Sequence, residues 1–232
     1  LLIPEALGQK VWFEAGEGPR LGAMPSVEQM MALAPEAGNA LSSVGESLSL
    51  VRAQLDPSKT LIGFAGAPWT VATYMLDGEA RTIGKGERAA ARAYAYADPK
   101  KGEGVLDALI ESTAYYLKMQ QDAGAMVLKI FESWAEGLPD DLFETLVLKP
   151  HQKLALALAN APELRDLSRI RLLGGADDGR LATEIRAFAD HISALEIPHR
   201  FQELEDVAHD YVAIMDALGD EYFAFWRGDE AQ

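Results

Sequence analysis

Two short apolar runs govern what this chain can fold into. "TLIGFAG" (60–66) and "AMVLKIF" (125–131) each have the length and texture of a buried strand, the first closed by Gly and buried on both faces. The sequence between them is largely helical in pattern. Pro68 stands near a first helical position, where its missing N–H costs little, and "PWTVATYML" continues from it. "DGEARTIGKGER" (77–88) is polar and Gly-rich, hence a loop. "AAARAYAYA" follows, and then "GVLDALIESTAYYLKMQQDAG" forms an amphipathic helix with Leu106, Leu109, Ile110, Thr113 and Leu117 along one stripe and Gly124 as its stop. Strand, helix, strand, helix at this spacing predicts βα units and a mostly parallel sheet, an α/β fold.

The rest of the chain extends that alternation. Residues 26–54 suit helices, opened by Pro25-Ser26, and the loop "ESWAEGLP" leads into helical residues 140–160. Beyond "ANAPELRDLS" (159–168), the one plausible seam, "RIRLLGG" (170–175) and "HRFQEL" read as strands. "LATEIRAFADHISALEI" and "HDYVAIMDALGDEYFAFWR" read as the helices that follow them. The expected domains are therefore 1–160 and 161–232.

Charge and composition narrow the function. With 36 acidic against 21 basic residues the net charge is −15, which argues against nucleic acid or an anionic membrane as partner. Any anionic ligand needs a local cluster of Arg or Lys. There is no cysteine, so disulfides, thiolate metal sites and a cysteine nucleophile are excluded, in keeping with a reducing cytoplasm. No 18-residue apolar run occurs, and "LLIPEALGQK" lacks the pattern of a signal peptide. The chain begins within an apolar run rather than at Met, so a preceding segment is expected.

In parallel α/β architectures ligands bind outside the carboxyl ends of the strands. The residues there are Gly66-Ala67-Pro68 and Glu132-Ser133-Trp134, and Tyr74 lies two turns into the following helix. Small residues at such a joint let a flat ligand approach the backbone, and helix-start N–H groups can hold an anion. The same residues also suit a tight turn, with Trp69 and Tyr74 as core packing.

"LIGFAGAPWTVATYM", with "IPEALGQKVWFEAGEGPRL" before it and "QQDAGAMVLKIFESWAEGLP" after it, resembles the uroporphyrinogen decarboxylase family over about residues 1–158. The blocks follow the family's order and approximate spacing. The resemblance implies a (β/α)8 barrel that works as a homodimer without metal or organic cofactor. It also implies removal of the acetate carboxyl groups of uroporphyrinogen to give coproporphyrinogen. By position, Tyr74 matches the family's active-site tyrosine, Ser133 the serine of its Phe-acid-Ser block and Phe64 an aromatic of the pocket floor. Gly66 and Ala67 would then make room for the tetrapyrrole, and Trp69 would anchor the helix that presents Tyr74.

Other family features are not matched. The arginine-rich segment "RQAGRY" and the catalytic aspartate would fall ahead of Leu1, and the C-terminal histidine block has no counterpart. Decarboxylation needs a counter-charge for the cationic ring, and a polycarboxylate needs cationic clamps. Little or no activity is therefore expected of the chain as it stands. Arg20 in "GEGPRL" reads as structural or surface, in a loop. Lys129, inside an apolar strand run, either enters the pocket or reaches its edge.

Residues 169–227 resemble instead the C-terminal end of an esterase-type α/β-hydrolase. There Asp177 or Asp178 would be the acid and His209 the base, in the chain order of that class. No G-x-S-x-G elbow accompanies them, and His209-Asp210-Tyr211 equally suits a helix start. His191 and His199 suit surface or helix-end positions, His151 a helix start, and no metal-ligand spacing links the histidines. The expected molecule is a partial barrel of TIM type, completed or extended by the βα units of the tail, with a tetrapyrrole as ligand. A non-catalytic tetrapyrrole-binding protein and an esterase-like hydrolase are the alternatives.

Overall fold

Local signals start the helices of this computed structural model, which describes residues 1–15, 18–77, 89–135, 138–159, 170–175, 183, 186–187, 189–190, 193, 199–205 and 218. Ser26 caps α2 (Val27–Leu33) by a reciprocal box. Gln29 N–H donates to Ser26 Oγ at 3.3 Å, and Ser26 N–H donates to Gln29 Oε1 at 3.0 Å. Asp98 caps the long helix α7 (Pro99–Asp122), accepting Lys101 N–H at 3.1 Å, with Pro99 in the first turn. Past its end Gly124 takes φ +104°, a left-handed conformation that glycine adopts without steric cost. A Cβ there would also lie 2.7 Å from Arg52 Cγ.

The chain divides into two compact units, Leu1–Leu158 and Ala159–Gln232. In the first, α7 is the axis of the core. It packs against α1 (Leu2–Ala6), α2, α3 (Ala37–Ala40), α4 (Ser42–Gln54), α5 (Pro68–Asp77) and α6 (Ala89–Ala97). The stripe Leu106, Leu109, Ile110, Thr113 and Leu117 is buried, as its periodicity predicts. Two further helices, α8 (Asp140–Phe143) and α9 (Lys149–Ala159), flank a π-helical segment at Glu144–Leu148. Leu142, Phe143, Leu146 and Val147 from this stretch join the same core.

Strand β3 (Ile62–Gly66) pairs in parallel with β4 (Val127–Phe131), with Phe64 opposite Lys129 and Gly66 opposite Phe131. The predicted strand pair is present, but its burial differs from expectation. On β3 the even residues are open, Ile62 54% and Phe64 60% exposed, whereas Gly63 and Ala65 are buried. The strand is thus covered on one face only, the face against α7. Gly63 permits that approach, since a Cβ would stand 2.9 Å from Gln120 Oε1. Apolar residues at successive positions suggested two buried faces, yet the second face carries its apolar side chains into the open.

An antiparallel hairpin, β1 (Val11–Glu14) with β2 (Gly18–Leu21), precedes these strands. Arg20 therefore lies on a strand and not in a loop, and its Nε donates to Glu14 Oε2 at 3.2 Å. Buried Gln9 ties this region to α5, its Nε2 donating to Gly22 C=O at 2.8 Å and Met75 C=O at 3.1 Å.

The second unit contains β5 (Ile170–Gly175) parallel to β6 (His199–Leu204), with helical residues at 183, 186–187, 189–190 and 193 between them. This is the βα arrangement read from the tail. Arg186 Nε donates to Glu203 Oε2 at 3.0 Å, fixing the helical stretch to β6. Among the described residues no helix is long and apolar enough to cross a membrane.

Candidate functional site

Because β3 and β4 run parallel and in register, their carboxyl ends lie side by side. Ala67 N–H donates to Phe131 C=O at 2.8 Å, carrying the ladder one residue beyond β3 before Pro68 opens α5. In the first turn of α5, the Thr70 hydroxyl donates to Glu132 Oε1 and accepts Ser133 N–H at 2.7 Å. A hydroxyl has one proton to give, so these two bonds assign it to the carboxylate and the lone pair to the amide. Trp134 N–H donates to the same Glu132 oxygen at 3.2 Å. Glu132 Oε2 is buried and accepts no hydrogen bond from the described residues.

Trp69 closes the link from the other side. Its side chain is 2% exposed and its indole N–H donates to Trp134 C=O at 3.1 Å. The Tyr74 and Trp134 rings meet edge to face, centroids 6.2 Å apart. The turn at 132–134 is therefore tied to α5 by Thr70, Trp69 and Tyr74 together. Phe64 meets Phe131 edge to face at 6.0 Å, and Lys129 holds its ammonium 5.3 Å from the Phe131 centroid.

Tyr74, Ser133 and Phe64 are all exposed; Ser133 follows the carboxyl end of β4, Tyr74 stands beside Trp134, and Phe64 lies mid-strand on β3 opposite Lys129. Gly66 and Ala67 are placed differently. Ala67 is completely buried and its amide is engaged with Phe131. At Gly66 a Cβ would lie 2.9 Å from Val71 Cγ2, so its small size serves the close packing of α5 on its own strand. Asp177, Asp178 and His209 lie outside the described residues. His151 faces Val147 C=O at 2.8 Å through Nδ1, a local helix contact.

Sequence reading passed over Thr70 and Gln120, and named Glu132 only by its place after β4, without a role. Gln120 is 2% exposed on α7 and pairs both polar groups of Phe64, accepting its N–H at 2.9 Å and donating to its C=O at 3.0 Å. The available signal was a polar residue continuing the apolar stripe of α7. For Thr70 and Glu132 it was a hydroxyl in a first helical turn and an acid beside the serine. Chemically, this corner offers two hydroxyls, an aromatic wall and one ammonium, which suits a planar ligand bearing carboxylates.

The uroporphyrinogen decarboxylase family model matches residues 1–165. The chain is 59% identical over 154 residues to uroporphyrinogen decarboxylase of Caulobacter vibrioides, covering 66% of this chain and 42% of that protein. The enzyme of the same name from Phenylobacterium zucineum is 57% identical over 151 residues, 65% of this chain and 42% of its own length. That of Maricaulis maris is 44% identical over 161 residues, 69% of this chain and 46% of its own length. The chain thus spans less than half the length of these curated relatives.

Proposed function

The chain belongs to the uroporphyrinogen decarboxylase family over residues 1–165, and on that premise we propose that the β3–β4 corner is one wall of a tetrapyrrole site. In this reading Tyr74 and Ser133 turn their hydroxyls toward the carboxylate side chains of a uroporphyrinogen-type ligand, and Phe64 meets the macrocycle. The reaction is the decarboxylation of the acetate groups to give coproporphyrinogen, in porphyrin and heme biosynthesis. The β3–β4 pair belongs to a barrel of TIM type, and the protein acts in the cytoplasm as a homodimer. Turnover by the chain alone is expected to be weak, because protonating a pyrrole carbon creates a cationic ring that needs a facing carboxylate. At this corner Glu132 Oε1 is committed to Thr70 and Trp134, and Oε2 is buried.

The observation that carries the reading is the Thr70–Glu132 link, which brings Tyr74 and Ser133 from separate elements to the same end of the strand pair. Such preorganisation keeps the hydroxyls in place before a ligand arrives. Fluorescence titration of the purified chain with coproporphyrinogen under anaerobic conditions tests it. Saturable binding that weakens in Tyr74→Phe and Ser133→Ala, with the fold intact by circular dichroism, is the expected result. Absence of saturable binding would sink it. The hydrolase reading of the tail gains no support from the described residues, which do not include Asp177, Asp178 or His209.

A further inference from the structure

On the open face of the β3–β4 pair, one cation stands among aromatic rings. Register places Phe64 opposite Lys129 and Gly66 opposite Phe131. Phe64 is 60% and Phe131 47% exposed, and Lys129 is exposed with them. The Lys129 ammonium lies 5.3 Å from the Phe131 centroid, and that ring meets Phe64 edge to face at 6.0 Å. Among the described residues Lys129 has no ion pair and no hydrogen-bond partner.

Lys10 also holds its ammonium 5.3 Å from an aromatic centroid, that of Trp12 in the β1–β2 hairpin, but Lys129 does so beside the candidate site. The chain carries 36 acidic residues against 21 basic ones, so carboxylates are plentiful. Other lysines of the first unit use them: Lys118 bonds Asp122 at 3.1 Å, Lys149 bonds Glu144 at 2.9 Å and Lys153 bonds Asp107 at 2.8 Å. Lys129 is held instead on an apolar strand, two residues before the end where Tyr74 and Ser133 converge. An ammonium held beside aromatic rings on an exposed strand presents its charge to an incoming carboxylate, with the modest gain of an exposed ion pair.

We propose that Lys129 is a specificity-determining residue of this site, taking one carboxylate of a planar, polycarboxylate ligand whose ring system rests against Phe64 and Phe131. The assignment deepens the tetrapyrrole reading and rests on it. It supplies a local positive charge at a site where the protein's overall charge of −15 repels an anionic ligand.

Calorimetric titration with coproporphyrin and with its tetramethyl ester, on the full chain and on Lys129→Met and Lys129→Arg, tests the proposal. Met keeps the apolar stem over Phe131 and removes the charge, and circular dichroism verifies the fold of each variant. Expected is a loss of up to about fivefold in coproporphyrin affinity for Lys129→Met, the range an exposed ion pair supplies. Lys129→Arg should keep the affinity, and the ester should bind the parent and Lys129→Met alike. Added salt should weaken the parent more than Lys129→Met. Parent binding that Lys129→Met leaves unchanged overturns the role of Lys129 while the tetrapyrrole reading stands. A parent chain that binds neither compound overturns both.

Discussion

Thr70 shows how much of this corner depends on one hydroxyl. It donates to Glu132 Oε1 and accepts from Ser133, so Thr70→Val leaves the Ser133 amide without this partner and Glu132 Oε1 with only Trp134 N–H. The expected cost is about 1–3 kcal/mol in urea denaturation, the price of a polar group left unsatisfied on burial. Trp69→Ala should cost more, about 3–5 kcal/mol, because it empties a core position and removes the indole bond to Trp134. Titration adds a test at this scale. The hydrogen bond to Asp107 raises the Lys153 pKa above 10.5, and burial raises the Tyr116 phenol above 10.0. Both groups then hold protons in the folded state that the unfolded chain has released. Their contribution is therefore complete below the unfolded values and lost as pH climbs through the raised ones. Thermal midpoints measured from pH 10.0 upward should fall, and less steeply in Lys153→Met.

Among the elements, α7 and the strand pair were the most legible. A long apolar stripe with Gly124 past its end names a helix and its stop, whereas its start at Pro99 lies ahead of the "GVLDALIES" reading; "TLIGFAG" and "AMVLKIF" name strands by length and content. The hairpin β1–β2 was passed over, although a Gly-containing turn between "VWFE" and "GPRL" carries its signal. The one-sided burial of β3 was not legible, since apolar residues at every position cannot say which face finds a neighbour. Nor could spacing reveal that Gly66 makes room for Val71 of α5 or that Ala67 is buried. Gln120 gives an element-scale prediction. It pairs the N–H and C=O of Phe64, residues whose neighbours Gly63 and Ala65 face β4 in the ladder. Gln120→Leu should lower stability by about 1–3 kcal/mol and speed hydrogen exchange at the Phe64 amide. Unchanged exchange there would mean that Gln120 is not what protects it.

For the molecule as a whole, the family match over residues 1–165 covers the β3–β4 pair, on and beside which Phe64, Tyr74 and Ser133 stand exposed. The candidate residues were legible because they sit in long blocks with distinctive neighbours, whereas the contacts around them join distant residues, as between Thr70 and Glu132 with a sequence separation of 62. The second unit keeps the βα texture of its sequence in the parallel pair β5–β6. An anaerobic thermal melt with and without coproporphyrinogen asks whether the folded chain carries the proposed tetrapyrrole-binding corner. Ligand that binds the native state alone raises its stability. Expected is a cooperative transition that moves upward with ligand and moves less in Tyr74→Phe. A cooperative transition that stays in place at saturating ligand would contradict the proposal.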